Sequence, residues 1–198
     1  MIKAGVTGGI GSGKSTLCRV WEELGAEVIY ADDLAKEIMV NDPEVVEAIK
    51  KEFGPDSYME NGELNRPYLS KKAFEEGKVD VLNRIVHPAV YRETGKLAEK
   101  AEKEGCKLFV KEAALLLQNG RPSFFDIIVI VRGKEESRIK RVMQRDDVPE
   151  QMVTDRMQKQ QDFSRLEHLA DYVIYNDGSF EEFKNEAEDL YYKVVSRG

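Results

Sequence analysis

A glycine-rich loop near the start of the chain has the residue types that bind phosphate. It fills every position of the pattern G-x-x-x-x-G-K-[ST]. Glycines lack a Cβ, so backbone amides approach phosphate oxygens closely, and Lys14 adds a cation for the terminal phosphates. The hydroxyl of Ser15 suits Mg²⁺ that bridges two phosphates. The loop therefore predicts an ATP site with Mg²⁺, formed by Gly8, Gly9, Gly11, Ser12, Gly13, Lys14, Ser15 and Thr16.

The residues on either side place this loop between a strand and a helix. Ile2 to Val6 is a short apolar run typical of a buried strand. After the loop, one helix face is marked by apolar residues at helical spacing, namely Leu17, Val20, Trp21 and Leu24. The alternative is a glycine-rich turn that only opens a helix. The flanks favour the phosphate site, because a strand, a glycine loop and a helix start together bind anions.

Two carboxylates follow the next predicted strand, Glu27 to Ala31. In open parallel sheets, ligands bind at the carboxyl ends of the strands. Asp32 and Asp33 lie at such an end, where a carboxylate can accept a proton from a substrate hydroxyl or hold Mg²⁺ through water. The alternative role is that of an N-cap for the following helix.

Basic residues are dense in the region from residue 132 to 165, although the chain is acidic overall. Small kinases use arginines on a mobile lid to neutralise the transferred phosphoryl group. We therefore interpret this region as a lid, with Arg145 at a helix end as the best candidate for a catalytic arginine. Ordinary surface charge is the alternative for any single member of the set, which comprises Arg138, Lys140, Arg141, Arg145, Arg156 and Lys159.

The composition is that of a globular protein. The chain has 198 residues, 41% of them hydrophobic, and a net charge of −7. Negative charge argues against nonspecific binding of nucleic acid, and no apolar run approaches the roughly 20 residues that cross a bilayer. Cys18 and Cys106 have no metal-type spacing, so we expect reduced thiols in a cytoplasmic protein. The oligomeric state is left open.

Strands and helices alternate along the chain, which predicts an α/β fold with a parallel sheet. The middle of the chain, Pro67 to Glu104, is mostly helical in pattern, with a break expected at His87-Pro88. We predict a three-layer P-loop NTPase fold with a helical substrate-binding insertion and a helical lid. The predicted boundaries are about 1–40, 105–135 and 168–198 for the core, about 41–104 for the insertion and about 136–167 for the lid.

With these motifs in order, the chain resembles the dephospho-CoA kinase family, whose members phosphorylate the ribose 3′-hydroxyl of dephospho-CoA with ATP. The resemblance covers nearly the whole chain. Its more specific motifs are the His-Pro pair and the ending around Asn176. The segments that match are Thr7-Gly-Gly-Ile-Gly-Ser-Gly-Lys-Ser-Thr16, Val28-Ile-Tyr-Ala-Asp32, Gly62-Glu-Leu-Asn-Arg66, Leu82-Asn-Arg-Ile-Val-His87-Pro88, Leu115-Leu-Leu-Gln-Asn-Gly120 and Ala170-Asp-Tyr-Val-Ile-Tyr-Asn176-Asp-Gly178.

The resemblance also implies roles for single residues. Asp32 would be the base, and the helical insertion would bind the CoA side of the substrate. Arg141 and Arg145 would belong to the lid, while Asn176 and Gly178 would border the adenine of ATP. The residues implied on the substrate side are Asp32, Arg66, His87, Gln118, Arg156 and Gln160.

The chain departs from the family pattern at four positions, namely Tyr30, Asn65, Ala114 and Gln118. Tyr30, Asn65 and Gln118 each replace a carboxylate, and Ala114 stands where the family often has proline. Glu112, at the end of its predicted strand, could restore a carboxylate near Mg²⁺. None of the changes touches the loop or Asp32, so kinase activity is still expected.

Two other functions compete with this interpretation. Another small-molecule kinase with the same loop, acting on a nucleoside or a sugar, would share the loop and the lid. A nucleotide switch of the GTPase type would need an N-K-x-D guanine-reading motif and a D-x-x-G switch motif, and neither string occurs.

Overall fold

Five parallel strands form the central sheet of the computed structural model, which describes residues 1–197 apart from the side chain of residue 74. Their order across the sheet is β2-β3-β1-β4-β5. β1 lies between β3 and β4, with Val6 opposite Glu112 and Gly8 opposite Val131. All carboxyl ends therefore meet at one edge. The strands are β1 (Ile2–Gly8), β2 (Glu27–Tyr30), β3 (Leu108–Glu112), β4 (Ile127–Arg132) and β5 (Tyr172–Tyr175). The predicted α/β fold with a parallel sheet is confirmed.

Helices connect and flank the strands. The longer ones have an apolar face that buries against the core, as their spacing predicts. The helices are α1 (Lys14–Glu23), α2 (Ala31–Asn41), α3 (Pro43–Phe53), α4 (Arg66–Ser70), α5 (Val79–Lys103), α6 (Glu135–Asp146), α7 (Glu150–Gln158) and α8 (Phe180–Val195). Short 3₁₀ segments occupy Pro55–Ser57 and Phe163–Leu169, and a π-helical turn occupies Lys71–Glu75.

The break expected at His87-Pro88 is wrong, because α5 runs through both residues. A proline inside a helix removes one backbone hydrogen bond and costs about 3 kcal/mol. Neighbouring positions of the same helix offset this cost, since Val86, Ala89 and Val90 are buried. Tertiary packing thus outweighs the local preference.

The chain divides into two compact units. One comprises residues 1–29 and 100–198, and the other residues 30–99. In the first unit, α1 packs beside α8, and the buried Trp21 Nε1 donates to the carbonyl oxygen of Ala187 at 2.8 Å. The second unit has its own apolar cluster, which includes Ile49, Phe53 and Leu69. Within the described chain, no helix has the length and apolar character to cross a membrane.

Candidate active site

The loop between β1 and α1 has the geometry of an anion site. It leaves the sheet at Gly8, the last residue of β1, and enters α1 at Lys14. Gly11 and Gly13 have φ angles of +73° and +106°, which favour glycine. Gly13 is the N-cap of α1 and has no side chain to satisfy the helix start. Because the first amides of a helix have no partner within it, they can bind a negatively charged ligand.

Lys14 is the first residue of α1, directly after the loop glycines, and its side chain is mostly buried. Its Nζ is 3.3 Å from the carbonyl oxygen of Gly9 and 3.7 Å from Oε1 of Glu112. Glu112 ends β3, directly beside β1 in the sheet. Ser15 follows Lys14 in the first turn of α1. The structure therefore brings an ammonium, a hydroxyl and a carboxylate to the edge of the sheet where the loop begins.

Three predicted residues contact the loop from the region after β4. Gln160 Oε1 accepts from the amide of Ile10 at 2.8 Å. Arg141 donates to the carbonyl oxygen of Gly11 at 3.0 Å and also to that of Asn176. The amide of Asn176 in turn donates to the carbonyl oxygen of Ser12 at 2.9 Å. Gly178 immediately precedes Ser179, which caps α8 through a capping box with Glu182.

Asp32 and Asp33 lie in the first turn of α2. The N-cap of this helix is Tyr30, so the interpretation of either aspartate as the cap is wrong. Asp33 pairs with Lys36 at 2.6 Å on the exposed surface. Both carboxylates gain from the partial positive charge of the helix start, which is worth about 0.3–1 kcal/mol at an exposed site.

The predicted lid arginines pair with one carboxylate. Arg145 Nε lies 2.7 Å from Asp146 Oδ1, and Arg156 Nη1 lies 3.4 Å from Asp146 Oδ2. The hydrogen bond between Arg145 and Asp146 raises the pKa of the arginine and lowers the pKa of the carboxyl. This pairing joins the end of α6 to α7.

The remaining predicted substrate residues are exposed. Arg66 is the first residue of α4, His87 lies within α5, and Gln118 follows β3. One departure from the family pattern has a structural use, since Asn65 caps α4 by accepting from the amide of Tyr68 at 3.3 Å.

Sequence reasoning placed Arg138 only in the general set of basic residues of the lid, yet the structure shows that it contacts the loop directly. Its Nε donates to the carbonyl oxygen of Ile10 at 2.9 Å. The two residues are 128 positions apart, and no spacing signal connects them. The sequence also did not suggest the ion pair between Arg132, at the end of β4, and Glu167.

A cavity of about 380 Å³ opens beside this contact and is lined by Arg132, Arg138 and Gln160 among others. A larger cavity of about 830 Å³ lies in the 30–99 unit, against Leu34, Ile38 and Asn41 of α2. At roughly 100° per residue, these positions lie opposite Asp32 around the helix. The larger cavity is therefore not the place where the Asp32 carboxylate points.

Comparison with known proteins identifies the family. A family model described as dephospho-CoA kinase matches residues 2–182. The chain belongs to the dephospho-CoA kinase family. As a dephospho-CoA kinase it is an ATP-dependent transferase with an alcohol group as acceptor, and ATP is its phosphoryl donor. The resemblance found in the sequence is confirmed, and the GTPase-type switch and the other small-molecule kinases are set aside.

Relatives of the family match over nearly the whole chain. The dephospho-CoA kinase of Salinibacter ruber is 44% identical, with 98% of each chain covered. That of Chlorobaculum tepidum is 37% identical over 97% of this chain and 94% of its own length. The solved structure of the Campylobacter jejuni dephospho-CoA kinase has a TM-score of 0.73 at 25% identity, covering 98% of this chain and 97% of its own.

Proposed function

We propose that the loop from Gly8 to Thr16 holds the triphosphate of ATP and that Asp32 takes the proton of the ribose 3′-hydroxyl of dephospho-CoA. The observation that carries this proposal is the geometry of the loop, which runs from the end of β1 to the start of α1, with the Lys14 side chain turned back to the Gly9 carbonyl oxygen. Charge stabilisation and positioning supply most of the catalysis in phosphoryl transfer. Lys14 provides charge stabilisation, and the loop amides provide charge stabilisation and positioning.

The position of Asp32 supports its role as the base. β2 belongs to the same parallel sheet as β1, and Asp32 is the second residue of the helix that follows β2. The carboxyl ends of parallel strands lie at one edge of the sheet, where ligands bind. Asp33 is a weaker candidate, because its carboxylate is paired with Lys36.

We also propose that Mg²⁺ binds at this loop. Oxygen atoms are the ligands that Mg²⁺ prefers, and Mg²⁺ uses few protein groups beside water and phosphate oxygens. The Ser15 hydroxyl fits this requirement as a direct ligand, with the carboxylate of Asp32 or Glu112 contacting the ion through water. The ion, when bound, neutralises charge on the phosphates.

The remaining assignments are proposals on the same basis. Residues of about 41–104 bind the CoA side of the substrate, and about 136–167 form the lid. Asn176 and Gly178 border the adenine. We propose a cytoplasmic location, and a small-molecule rather than nucleic-acid partner, for a chain whose two cysteines are both free. The proposed ATP-site and lid arginines are Arg141 and Arg145, and the substrate side comprises Arg66, His87, Gln118, Arg156 and Gln160.

The test compares Asp32→Asn with Asp33→Asn, which makes the same charge change one residue away. We expect Asp32→Asn to bind ATP with unchanged affinity by calorimetry. Its turnover with dephospho-CoA should fall by roughly 10²–10⁴, the usual contribution of a general base. Asp33→Asn should retain turnover. Wild-type turnover in Asp32→Asn contradicts the role of Asp32 as base. Loss of ATP binding in that variant contradicts the proposal that Asp32 acts on the acceptor hydroxyl while the loop alone holds ATP.

A further inference from the structure

Three successive carbonyl groups of the phosphate loop are each held by a side chain from outside the loop. The three donors come from α6 and from the turn after β5. The pairs are Ile10 with Arg138 Nε at 2.9 Å, Gly11 with Arg141 Nη1 at 3.0 Å, and Ser12 with Asn176 Nδ2 at 2.9 Å.

Two loop glycines make room for these donors. A Cβ placed on Gly9 would lie 2.2 Å from Nη2 of Arg138, and one placed on Gly13 would lie 2.3 Å from Nδ2 of Asn176. Any other residue at either position would displace the donor. The guanidinium of Arg138 therefore rests directly against the backbone of Gly9, in space that a side chain would occupy.

These contacts have a direct consequence for anion binding. In a loop that binds phosphate, the amide groups converge on the ligand and the carbonyl groups must point away from it. A carbonyl oxygen that turns inward brings partial negative charge towards the phosphates. Donors outside the loop fix the carbonyls outward before the ligand arrives, so that binding does not have to reorganise the loop.

Within the proposed lid segment, Arg138 differs from Arg145 and Arg156, which pair with Asp146. It lies in the first turn of α6, close to where the helix leaves β4, and its Nε is engaged with Ile10. Burial lowers the pKa of Arg138, but a guanidinium remains charged at neutral pH. Its charge thus stays behind the loop, on the carbonyl side.

We infer that Arg138 is a positioning residue of the phosphate loop, which holds the Ile10 carbonyl outward and so sets the loop for ATP. The inference rests on the proposed ATP site. This role differs from that of a residue that contacts the transferred phosphoryl group. A loop that already has its binding conformation binds ATP equally well in the ground state and in the transition state. Such uniform binding appears in KM and not in kcat.

The first experiment uses Arg138→Gln and Arg138→Lys, with Lys107→Gln as the matched control. Lys107 is an exposed cation just before β3, at the edge of the sheet opposite the loop. We expect both Arg138 variants to raise KM for ATP about tenfold, as expected for one charge-assisted hydrogen bond, with kcat changed less than about twofold. Lysine does not rescue, because it restores the charge but not the sideways Nε donor. Lys107→Gln should match wild type.

The second experiment reads the loop without ATP. The amides of Ile10 and Ser12 are both hydrogen-bonded in the structure. Their hydrogen-exchange rates, measured without ATP, should be several-fold higher in Arg138→Gln than in wild type. Lys107→Gln should leave the exchange rate of both amides unchanged. Equal melting temperatures of all variants exclude general unfolding as the cause.

Gly9→Ala provides an independent check, because its methyl group displaces the guanidinium. Combined with Arg138→Gln, it should raise KM by less than the product of the two single effects. Unchanged exchange in Arg138→Gln, rescue by lysine, a fall in kcat alone, or full additivity with Gly9→Ala would each overturn the inference. Absence of ATP binding in wild type would refute the proposed ATP site instead, since the exchange measurement needs no ATP.

Discussion

Replacing Lys14 by methionine should destabilise the protein as well as inactivate it. Lys14 Nζ lies 3.7 Å from Glu112 Oε1, and the two side chains are only 11% and 14% exposed. At this distance the attraction is about 4 kcal/mol with an effective dielectric constant near 20. Removing a charge from a buried pair leaves the other without that compensation in a poorly solvated place.

Part of this lost Coulomb attraction is offset, because burying a methionine side chain does not carry the desolvation cost of burying the lysine ammonium group. We therefore expect Lys14→Met to lose about 2 kcal/mol in the free energy of unfolding, roughly half of the direct attraction. For a chain of this length, such a loss corresponds to a fall of about 4–8 °C in melting temperature. Urea unfolding at pH 7 without ATP measures it.

The double variant Lys14→Met, Glu112→Gln separates stability from catalysis. Glutamine removes the carboxylate charge, so the free energy of unfolding should return to within about 1 kcal/mol of wild type. Turnover should stay lost in both variants, because the charge that stabilises the phosphoryl group is missing. A single variant as stable as wild type, or a double variant no more stable than the single one, refutes the reasoning.

Two further substitutions test other parts of the core unit. Lys111 is buried in β3, where desolvation lowers its pKa to about 8. Below pH 8 the folded protein holds a buried charge, so Lys111→Met should raise the free energy of unfolding at pH 7 by about 1–3 kcal/mol. Above pH 8 only the unfolded chain keeps the proton, so wild type gains stability up to about pH 10.4 and the difference should narrow. A difference that widens with pH contradicts this sign. Ser179→Ala removes the capping box of α8 and should cost about 1 kcal/mol in thermal unfolding, whereas Ser196→Ala at the other helix end serves as control.

Much of the fold follows from local patterns in the chain. The continuous apolar run of β4 and the apolar face of α1 predict a buried strand and a half-buried helix, and both occur. The break at Pro88 was wrongly predicted, because a local rule on proline does not include the burial of the neighbouring residues. The strand predicted from Glu27 to Ala31 ends one residue earlier, at Tyr30, because Ala31 is the first residue of α2.

In the candidate site too, some features follow from local sequence patterns and others only from tertiary packing. The sequence by itself determined the phosphate loop and the family, because their residues are adjacent or follow one another in a fixed order. Glycine, lysine and serine at those spacings have a use in phosphate binding that does not depend on the rest of the chain. Only the tertiary structure decided which distant side chains hold the loop. Arg138, Arg141 and Asn176 reach successive carbonyls of the loop across at least 128 residues of sequence. Such contacts depend on how the tertiary structure places α6 and the turn after β5 beside the loop, and this packing has no signature in local spacing.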